Sequence, residues 1–324
     1  MNNNTNSPWN GRRYYPISQY FKARFGERVG KVSVSVAEQC PNRRKDKTGE
    51  SAGACIFCDE WGSAAYHLEK DRDLADQIRH NKKNVQRRLK NKKFLVYFQS
   101  YTNTLDKIGV LKRRFETALA EDGVHGLVVG TRPDCLPERL YPLFNDVSQE
   151  TYLLIELGVQ SFYDEHLDFL KRGHSAKKSM EAIHNLAAKT DADIGIHLMF
   201  GLPNESDEMI TETAKRINTL PISNVKLHNL HVLKNTPLAT MYAAGLFTPV
   251  ELEKYAGKVI LFLRHLSPTI AVQRLAAIAN RWDELVAPEW TRQKMPPIEY
   301  IEKQMALNGY LQGDLVMATN NIQR

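Results

Sequence analysis

The chain has 324 residues, of which 42% are hydrophobic, and it carries a net charge of +7. This is enough apolar content for a sizeable core, as one large α/β barrel or as two smaller domains. No apolar run approaches the length of a membrane span, and the Asn-rich start does not have the order of a signal peptide. We therefore expect a disordered tail over residues 1–14 and a cytoplasmic protein without a membrane partner.

Short apolar runs alternate with amphipathic helical patterns along the chain. Such alternation predicts a parallel sheet with right-handed crossovers. The six predicted units are fewer than the eight of a closed barrel, so the fold is either a partial barrel or an open doubly wound sheet. Both architectures bind ligands at the carboxyl ends of the strands. The predicted strands are 31–36, 94–98, 126–129, 152–159, 193–200 and 224–232; the predicted helices are 71–90, 105–121, 137–147, 176–189, 207–220 and 249–266.

Three of the four cysteines follow the first predicted strand. Cys40 comes just after it, and Cys55 and Cys58 form a Cys-x-x-Cys pair in the same loop. A closed zinc or iron–sulfur site takes four protein ligands, so three thiolates on a four-iron cluster would leave one iron open. The alternatives are a zinc site with His67 as a fourth ligand, a thioredoxin-like redox pair, or free thiols.

The predicted helix 71–90 carries most of a strongly basic stretch. Residues 79–93 include eight lysines and arginines and no acidic residue. A surface of this kind contacts phosphates, which indicates a nucleic-acid partner; the alternative is a solvated helix face without a partner. The basic residues are Arg79, Lys82, Lys83, Arg87, Arg88, Lys90, Lys92 and Lys93.

Polar motifs close the later predicted strands. They are Tyr97-Phe98-Gln99-Ser100-Tyr101-Thr102, Gly130-Thr131-Arg132-Pro133-Asp134-Cys135, Glu156-Leu157-Gly158-Val159-Gln160-Ser161, Arg172-Gly173-His174, His197 to Pro203, and Lys226 to His231. Together with the cysteine segment they resemble radical S-adenosylmethionine (SAM) enzymes, and most closely the YhcC/YtqA branch, which is related to the catalytic subunit of Elongator. The usual Cys-x-x-x-Cys spacing is stretched here to fourteen residues between Cys40 and Cys55.

The resemblance implies a partial (β/α)6 TIM-like barrel over residues 15–266, capped by a C-terminal extension over residues 267–324. It also implies a [4Fe-4S] cluster on Cys40, Cys55 and Cys58, with SAM chelated to the open iron. Such a cluster cleaves SAM reductively to methionine and a 5′-deoxyadenosyl radical, which abstracts hydrogen from the substrate. The cofactors carry the difficult step, and the protein supplies position, dryness and potential.

The resemblance also assigns candidate roles at the strand ends. Contacts with SAM are expected from Gln99, Ser100, Glu156, Gln160 and Arg172, and contacts with the substrate from His197, Lys226 and His228. Cys135, which follows the third predicted strand, is a further candidate near the substrate, but we favour a small buried hydrophobe there. Strand alternation puts His231 on the opposite face from Lys226 and His228. The plainer alternatives are a surface ion pair for Arg172, ordinary buried polar roles for the histidines, and a small buried hydrophobe for Cys135. We also expect Arg132 and Asp134 to form a pair that fixes their loop.

The implied substrate is a wobble uridine of tRNA, bound through the basic helix. The implied electron donor is a flavodoxin or a ferredoxin. Two other classes stay open from the residues: an iron–sulfur electron carrier without radical chemistry, and a zinc-dependent RNA-binding module.

Overall fold

The computed structural model describes residues 8–37, 39–43, 55–59, 73–279 and 282–316. The chain divides into two compact units, Phe21–Ile196 and Met1–Tyr20 with His197–Arg324. The strands are β1 (Val29–Val34), β2 (Lys93–Phe98), β3 (Val124–Thr131), β4 (Tyr152–Gln160), β5 (Asp193–Phe200), β6 (Asn224–Asn229), β7 (Val232–Leu233), β8 (Ala271–Arg274) and β9 (Leu285–Ala287).

The helices follow the strands in the expected alternation. They are α1 (Ile17–Phe25), α2 (Leu74–Leu89), α3 (Ile108–Leu119), α4 (Tyr141–Glu150), α5 (Asp164–Phe169), α6 (Ala176–Lys189), α7 (Asp207–Asn218), α8 (Pro237–Ala243), α9 (Leu252–His265) and α10 (Met295–Leu307). Among the described residues, no helix is long and apolar enough to cross a membrane.

A seven-stranded sheet has the order β1-β2-β3-β4-β5-β6-β8. The registers of β1 through β4, and of β6 with β8, are parallel. Strands in chain order are typical of a barrel rather than of a doubly wound sheet, in which the order reverses. The predicted α/β partial barrel is therefore confirmed, with one strand more than predicted.

The seventh strand, β8, lies within the segment predicted as a C-terminal extension. It is only four residues long, and the apolar run around it does not separate it from its neighbours. The sixth strand was predicted too long: β6 ends at Asn229, and Val232–Leu233 pairs instead with β9 in an antiparallel ribbon. Residues 8–14, predicted as part of the tail, include the buried Trp9 and Tyr14.

Helix α2 is held against β1 by side-chain amides. Gln77 accepts a hydrogen bond from the Ser35 backbone N–H at 2.9 Å and donates one to the Ser35 carbonyl at 3.1 Å. Asn81 donates to the Ser33 carbonyl at 3.0 Å. Asp73 caps the helix by accepting from the Asp76 N–H, and Ile78 fills the interface with the core. The basic residues of α2 consequently lie on its outer side.

Several predicted helix starts are too early, and two of them follow a proline. Helix α9 begins at Leu252 rather than at residue 249. Helix α4 begins at Tyr141, after a short 3₁₀ turn over Glu138–Leu140. In both places a proline precedes the first helical turn, and proline is compatible with several kinds of turn as well as with a helix start.

The core of the Phe21–Ile196 unit is built on β4, all nine residues of which are buried. Such continuous burial is typical of a central parallel strand covered on both faces. Phe98, Phe115 and Phe144 form a chain of aromatic contacts, with ring centroids 5.5 Å and 6.5 Å apart, that joins β2 to α3 and α4. This packing fixes the strands from whose ends the candidate site is built.

Candidate metal centre

The three cysteines of the predicted cluster all lie in the Phe21–Ile196 unit. Cys40 follows β1 and begins a 3₁₀ turn in which the Arg43 N–H donates to the Cys40 carbonyl at 3.0 Å. Cys55 and Cys58 share a second turn, closed by the Cys58 N–H and the Cys55 carbonyl at 3.0 Å. The two-residue gap thus brings two sulfurs to one turn of backbone.

Two side chains donate hydrogen bonds to the sulfur of Cys55. Asn42 Nδ2 lies 3.2 Å from Cys55 Sγ, and Arg172 Nη1 lies 3.2 Å from the same atom. Arg172 also donates through Nη2 to the Gly158 carbonyl at 2.9 Å, which fixes the plane of the guanidinium. An amide and a cation therefore both donate to this one sulfur.

The sulfur of Cys58 has a cationic donor of its own. Arg43 Nη2 lies 3.2 Å from Cys58 Sγ and 3.2 Å from the Cys58 carbonyl oxygen, and it also contacts the Asp59 carbonyl. Burial nevertheless raises the pKa of Cys58 to about 12. A bound metal ion deprotonates a coordinating thiol outright, so the thiolate form of Cys58 is the form that a metal would stabilise.

A second layer of residues fixes these donors. Arg132 forms the predicted pair with Asp134, through Nε and Nη2 at 2.9 Å each, and its Nη2 also donates to the Arg172 carbonyl. Burial would raise the pKa of Asp134, but the hydrogen bonds and charge of Arg132 outweigh that effect and lower it. The loop-fixing role predicted for this pair is confirmed.

Asn42 ties the cysteine loop to the Arg172 loop. Its Nδ2 lies 2.7 Å from the Lys171 carbonyl and 3.1 Å from the Arg172 carbonyl, besides its contact with Cys55. Gly173 follows at φ +70°, where an added Cβ would lie 3.1 Å from Asn42 Oδ1. The glycine is therefore needed both for its backbone conformation and for the space that Asn42 occupies.

Of the residues predicted to contact SAM, Gln99 and Ser100 follow β2, Gln160 ends β4, and Arg172 follows α5. Ser100 is fully buried, with its Oγ 2.5 Å from Ser35 Oγ, while Gln99 is partly exposed. Gln160 ends β4 with a left-handed backbone at φ +66°, which is unusual for a residue with a side chain and is typical of functional positions. Arg172 is buried, so the alternative of a surface ion pair is wrong.

Glu156 lies inside β4 rather than at its end. Its side chain is fully buried, and its Oε1 is 3.1 Å from Lys31 Nζ of β1. Lys31 Nζ also lies 4.9 Å from the centroid of the Tyr97 ring. A role for Glu156 in binding SAM would therefore be additional to this ion pair.

Cys135 is buried, and its sulfur lies 3.9 Å from Asp134 Oδ1. Burial, followed by the charge of Asp134, raises the pKa of Cys135 to about 12. The Thr104 hydroxyl donates to the Cys135 carbonyl at 2.6 Å. These surroundings keep Cys135 a neutral thiol, in agreement with the small buried hydrophobe that a lone cysteine commonly is.

The candidate substrate residues of the other unit form a cluster with one residue that was not predicted. The rings of His197 and His228 stack with centroids 5.2 Å apart. Arg274, in register with Lys226, places its Nη2 2.6 Å and 2.8 Å from the two ring nitrogens of His228. Burial, followed by the charge of Arg274, lowers the pKa of His228 well below its ordinary value and that of His231 to about 4.

Asn42, Arg43 and Arg274 were not assigned roles from sequence. The signal for the first two is their position directly after Cys40, inside the cysteine segment. The signal for Arg274 is that it is a single cation within the apolar run 269–279. A charge in an otherwise buried strand usually has a partner, and that partner here is His228.

The donor set fits an iron–sulfur cluster. Within the described ranges, no group of three or more His, Cys, Asp or Glu side chains is arranged to hold a single metal ion. A cluster is several atoms wide, so its cysteines need not converge on one point. His67, the possible fourth ligand of the zinc alternative, lies outside the described residues. Hydrogen bonds and cations at cysteine sulfurs stabilise and tune such clusters.

Comparison with known families identifies the superfamily of the chain. The model of the radical SAM superfamily matches residues 48–217, and that of the radical SAM C-terminal domain matches residues 222–306. The chain belongs to the radical SAM superfamily. It is 31% identical over 302 residues to YtqA of Bacillus subtilis, and this alignment covers 93% of this chain and 92% of YtqA.

Two further likenesses point toward Elongator-type proteins. The chain is 34% identical over 145 residues to a tRNA uridine(34) acetyltransferase of Methanocaldococcus infernus, covering 44% of this chain and 26% of that protein. The structure of Methanocaldococcus infernus Elp3 superposes with a TM-score of 0.66 at 20% identity, covering 88% of this chain and 64% of that one. This superposition shows the radical SAM fold.

Proposed function

We propose that the chain is a radical SAM enzyme that holds a [4Fe-4S] cluster on Cys40, Cys55 and Cys58. The observation that supports it is the convergence of Asn42, Arg43 and Arg172 on the sulfurs of Cys55 and Cys58. Two guanidinium groups would stabilise buried neutral thiols only slightly, whereas they would strongly stabilise the negative charge of a cluster bound by thiolates. When bound, such a cluster supplies the electron that cleaves SAM to methionine and a 5′-deoxyadenosyl radical able to abstract hydrogen from a substrate.

The residues of the chain would position SAM beside that cluster and exclude water. Arg172 is suited to the methionine carboxylate because a guanidinium binds a carboxylate through two parallel hydrogen bonds. We assign the methionine amino group to Gln99 and Ser100, and the ribose or the amine to Glu156 and Gln160. Ser100, Glu156, Gln160 and Arg172 are all buried, as side chains that enclose a bound SAM would be.

Anaerobic reconstitution tests the proposal. The protein is loaded with iron and sulfide, reduced, and given SAM, and 5′-deoxyadenosine is measured together with iron content. We expect about four irons per chain and release of 5′-deoxyadenosine. Changing Cys40, Cys55 or Cys58 to Ala should abolish both, while the matched Cys135→Ala variant should keep both.

Two results would contradict the proposal. A colourless protein that binds zinc would favour the zinc-dependent module, and a cluster that never cleaves SAM would favour the electron carrier.

A flavodoxin or ferredoxin is the proposed physiological reductant, and it should replace the chemical reductant in the same assay.

For the substrate we propose a wobble uridine of tRNA. The partial likeness to a tRNA uridine(34) acetyltransferase and the basic helix α2 support it. His197, Lys226 and His228, with Arg274, are the proposed substrate contacts. The test compares tRNA nucleosides by mass spectrometry from cells lacking the gene, complemented with the wild type or with Cys58→Ala. A nucleoside that returns only with the wild type is expected, and an unchanged profile would contradict the proposal.

A further inference from the structure

A groove of about 960 Å³ runs along the outer side of α2. Its second wall is the turn between α3 and β3, including Glu121 and Asp122, and the start of β2 contributes Lys92 and Phe94. From α2 itself the basic lining residues are Arg79, His80, Lys82 and Lys83. Both walls belong to the Phe21–Ile196 unit.

Some of the cations in the groove are already used to build it. Arg79 pairs with Asp76 at 2.6 Å and with Glu121 at 2.8 Å, and so joins α2 to the opposite wall. Lys82 Nζ donates to the Asp122 carbonyl at 2.7 Å and lies 5.8 Å from the centroid of the Phe94 ring. These contacts connect α2 to the opposite wall of the groove.

Lys83 and Lys92 differ from the cations that join the walls of the groove. Both are exposed, and neither forms an ion pair with any residue in the part of the chain that the structure describes. They come from separate elements, α2 and the turn before β2. Two flexible, hydrated ammonium groups on separate elements suit a chain of phosphates better than one compact anion, which needs convergent donors.

The position of the groove limits what can use it. Lys92 and Phe94 lie at the amino end of β2, and Gly123 directly precedes β3, whereas the cysteine segment follows the carboxyl end of β1. β1 and β2 are paired in parallel over six residues, a length of about 20 Å. A ligand that contacts both Lys92 and the cysteine site must therefore span about 20 Å, which a mononucleotide cannot do.

We propose that the groove binds the phosphate backbone of the body of a folded RNA whose reactive nucleotide lies at the cysteine site. The inference rests on the proposed RNA substrate and adds to it that recognition is divided between two distant places. The body contributes affinity through Lys83 and Lys92, independently of sequence. The reactive nucleotide contributes the chemistry.

The test uses the reconstituted holoenzyme and fluorescence anisotropy with two probes. One is a full-length tRNA transcript, and the other is a five-nucleotide loop sequence from the same tRNA. The variant Lys83→Ala/Lys92→Ala removes two charges from the groove. Its matched control, Arg87→Ala/Arg88→Ala, removes two charges from the same helix outside the groove.

We expect the groove variant to weaken tRNA binding at least tenfold and to reduce the slope of log K against log salt by about two, one for each lysine. The control variant should change the affinity by less than threefold, and the groove variant should weaken binding of the five-nucleotide probe less than it weakens binding of the tRNA. All four lysines and arginines are exposed, so both variants should fold.

Equal losses in the two variants would overturn the proposal, because total charge rather than the groove would then set the affinity. Unchanged tRNA binding in the groove variant would also overturn it. Normal RNA binding together with lost reduction by flavodoxin would also overturn the proposal, because the groove would then bind an acidic protein. Release of 5′-deoxyadenosine without RNA is measured in parallel, so a failure of the SAM chemistry is seen separately from a failure of RNA binding.

Discussion

Lys31 Nζ lies 3.1 Å from Glu156 Oε1, although two strands separate β1 from β4 in the sheet order. In a flat sheet these strands would be about 14 Å apart, three spacings of about 4.8 Å each. The ion pair therefore crosses the concave face of a curved sheet. Because Glu156 is fully buried, its charge depends on compensation there.

Glu156→Gln should lower the free energy of unfolding by about 1–3 kcal/mol, because it leaves the partly buried Lys31 ammonium facing a neutral group. Adding Lys31→Met should recover part of the loss. Urea unfolding measures both variants. The control is Lys189→Met, which breaks the exposed pair with Glu138 and should cost less than about 1 kcal/mol.

The same pair of variants separates structure from ligand binding at Glu156. If Glu156 also contacts SAM, the double variant should regain stability but still bind SAM weakly. A Glu156→Gln cost no larger than that of the exposed control would show that the Lys31 pair contributes little.

Gly173→Ala should reduce cluster content. The substitution forces an alanine into φ +70° and places its Cβ 3.1 Å from Asn42 Oδ1, so Asn42 must shift away from Cys55. The backbone conformation alone costs about 1–2 kcal/mol. Gly245→Ala is the matched control, since Gly245 has the same φ of +70° with no atom within 4 Å of the added Cβ.

Iron per chain after reconstitution is the measurement for these two glycines. We expect similar losses of thermal stability in both variants but a loss of iron only in Gly173→Ala. Equal iron content in the two would mean that Asn42 does not support the cluster.

Arg172→Gln should make the cluster harder to reduce. The guanidinium lies 3.2 Å from Cys55 Sγ, and a cation there stabilises the reduced cluster, which carries one more negative charge. Its removal should lower the midpoint potential by an amount on the order of tens of millivolts. A redox titration followed by electron paramagnetic resonance, without SAM, measures the shift. Arg139→Gln changes an exposed arginine and should leave the potential unchanged.

Protonation of His231 should lower the free energy of unfolding in mild acid. Its folded pKa is about 4, lowered by burial and then by Arg274, against an ordinary value of 6.5. Between these values the unfolded chain binds a proton that the folded chain does not, so stability falls as the pH drops from 6.5 toward 4. The slope is about 1.4 kcal/mol per pH unit for one such group.

The variant His231→Asn removes this contribution. Cluster-free wild type and variant are unfolded with urea at several pH values, so that losses common to both cancel in the difference. The variant should lose less stability than the wild type below pH 6.5. Parallel curves for the two proteins would contradict the prediction.

Sequence patterns predicted the parallel α/β architecture because the alternation of apolar runs and amphipathic helices is strong in the first two thirds of the chain. They missed β8 because four residues carry too little periodicity to distinguish a strand from an apolar loop. They extended the sixth strand to residue 232 because Leu230 and Val232 prolong the apolar run, although the chain turns after Asn229.

The cysteines of the candidate site could be found by spacing, but the groups around them could not. Arg172 is 117 residues from Cys55, and the hydrogen bond between them exists only because α5 and the turn after it follow β4. The Arg132–Asp134 pair could be predicted because its members are two residues apart. The Arg274–His228 contact could not, because it depends on a strand that was not predicted.

The origin of the donors around Cys55 and Cys58 limits any attempt to engineer this site elsewhere. A transplanted cysteine segment would include Asn42 and Arg43. Arg172 and Arg132, which donates to the Arg172 carbonyl, come instead from the segments after β4 and β3. A grafted segment 40–59 would carry all three thiolates and lack one of the two guanidinium groups that face them. A transferable unit must therefore include the segments 130–134 and 156–174 as well, held at their present spacing by the three strands that precede them.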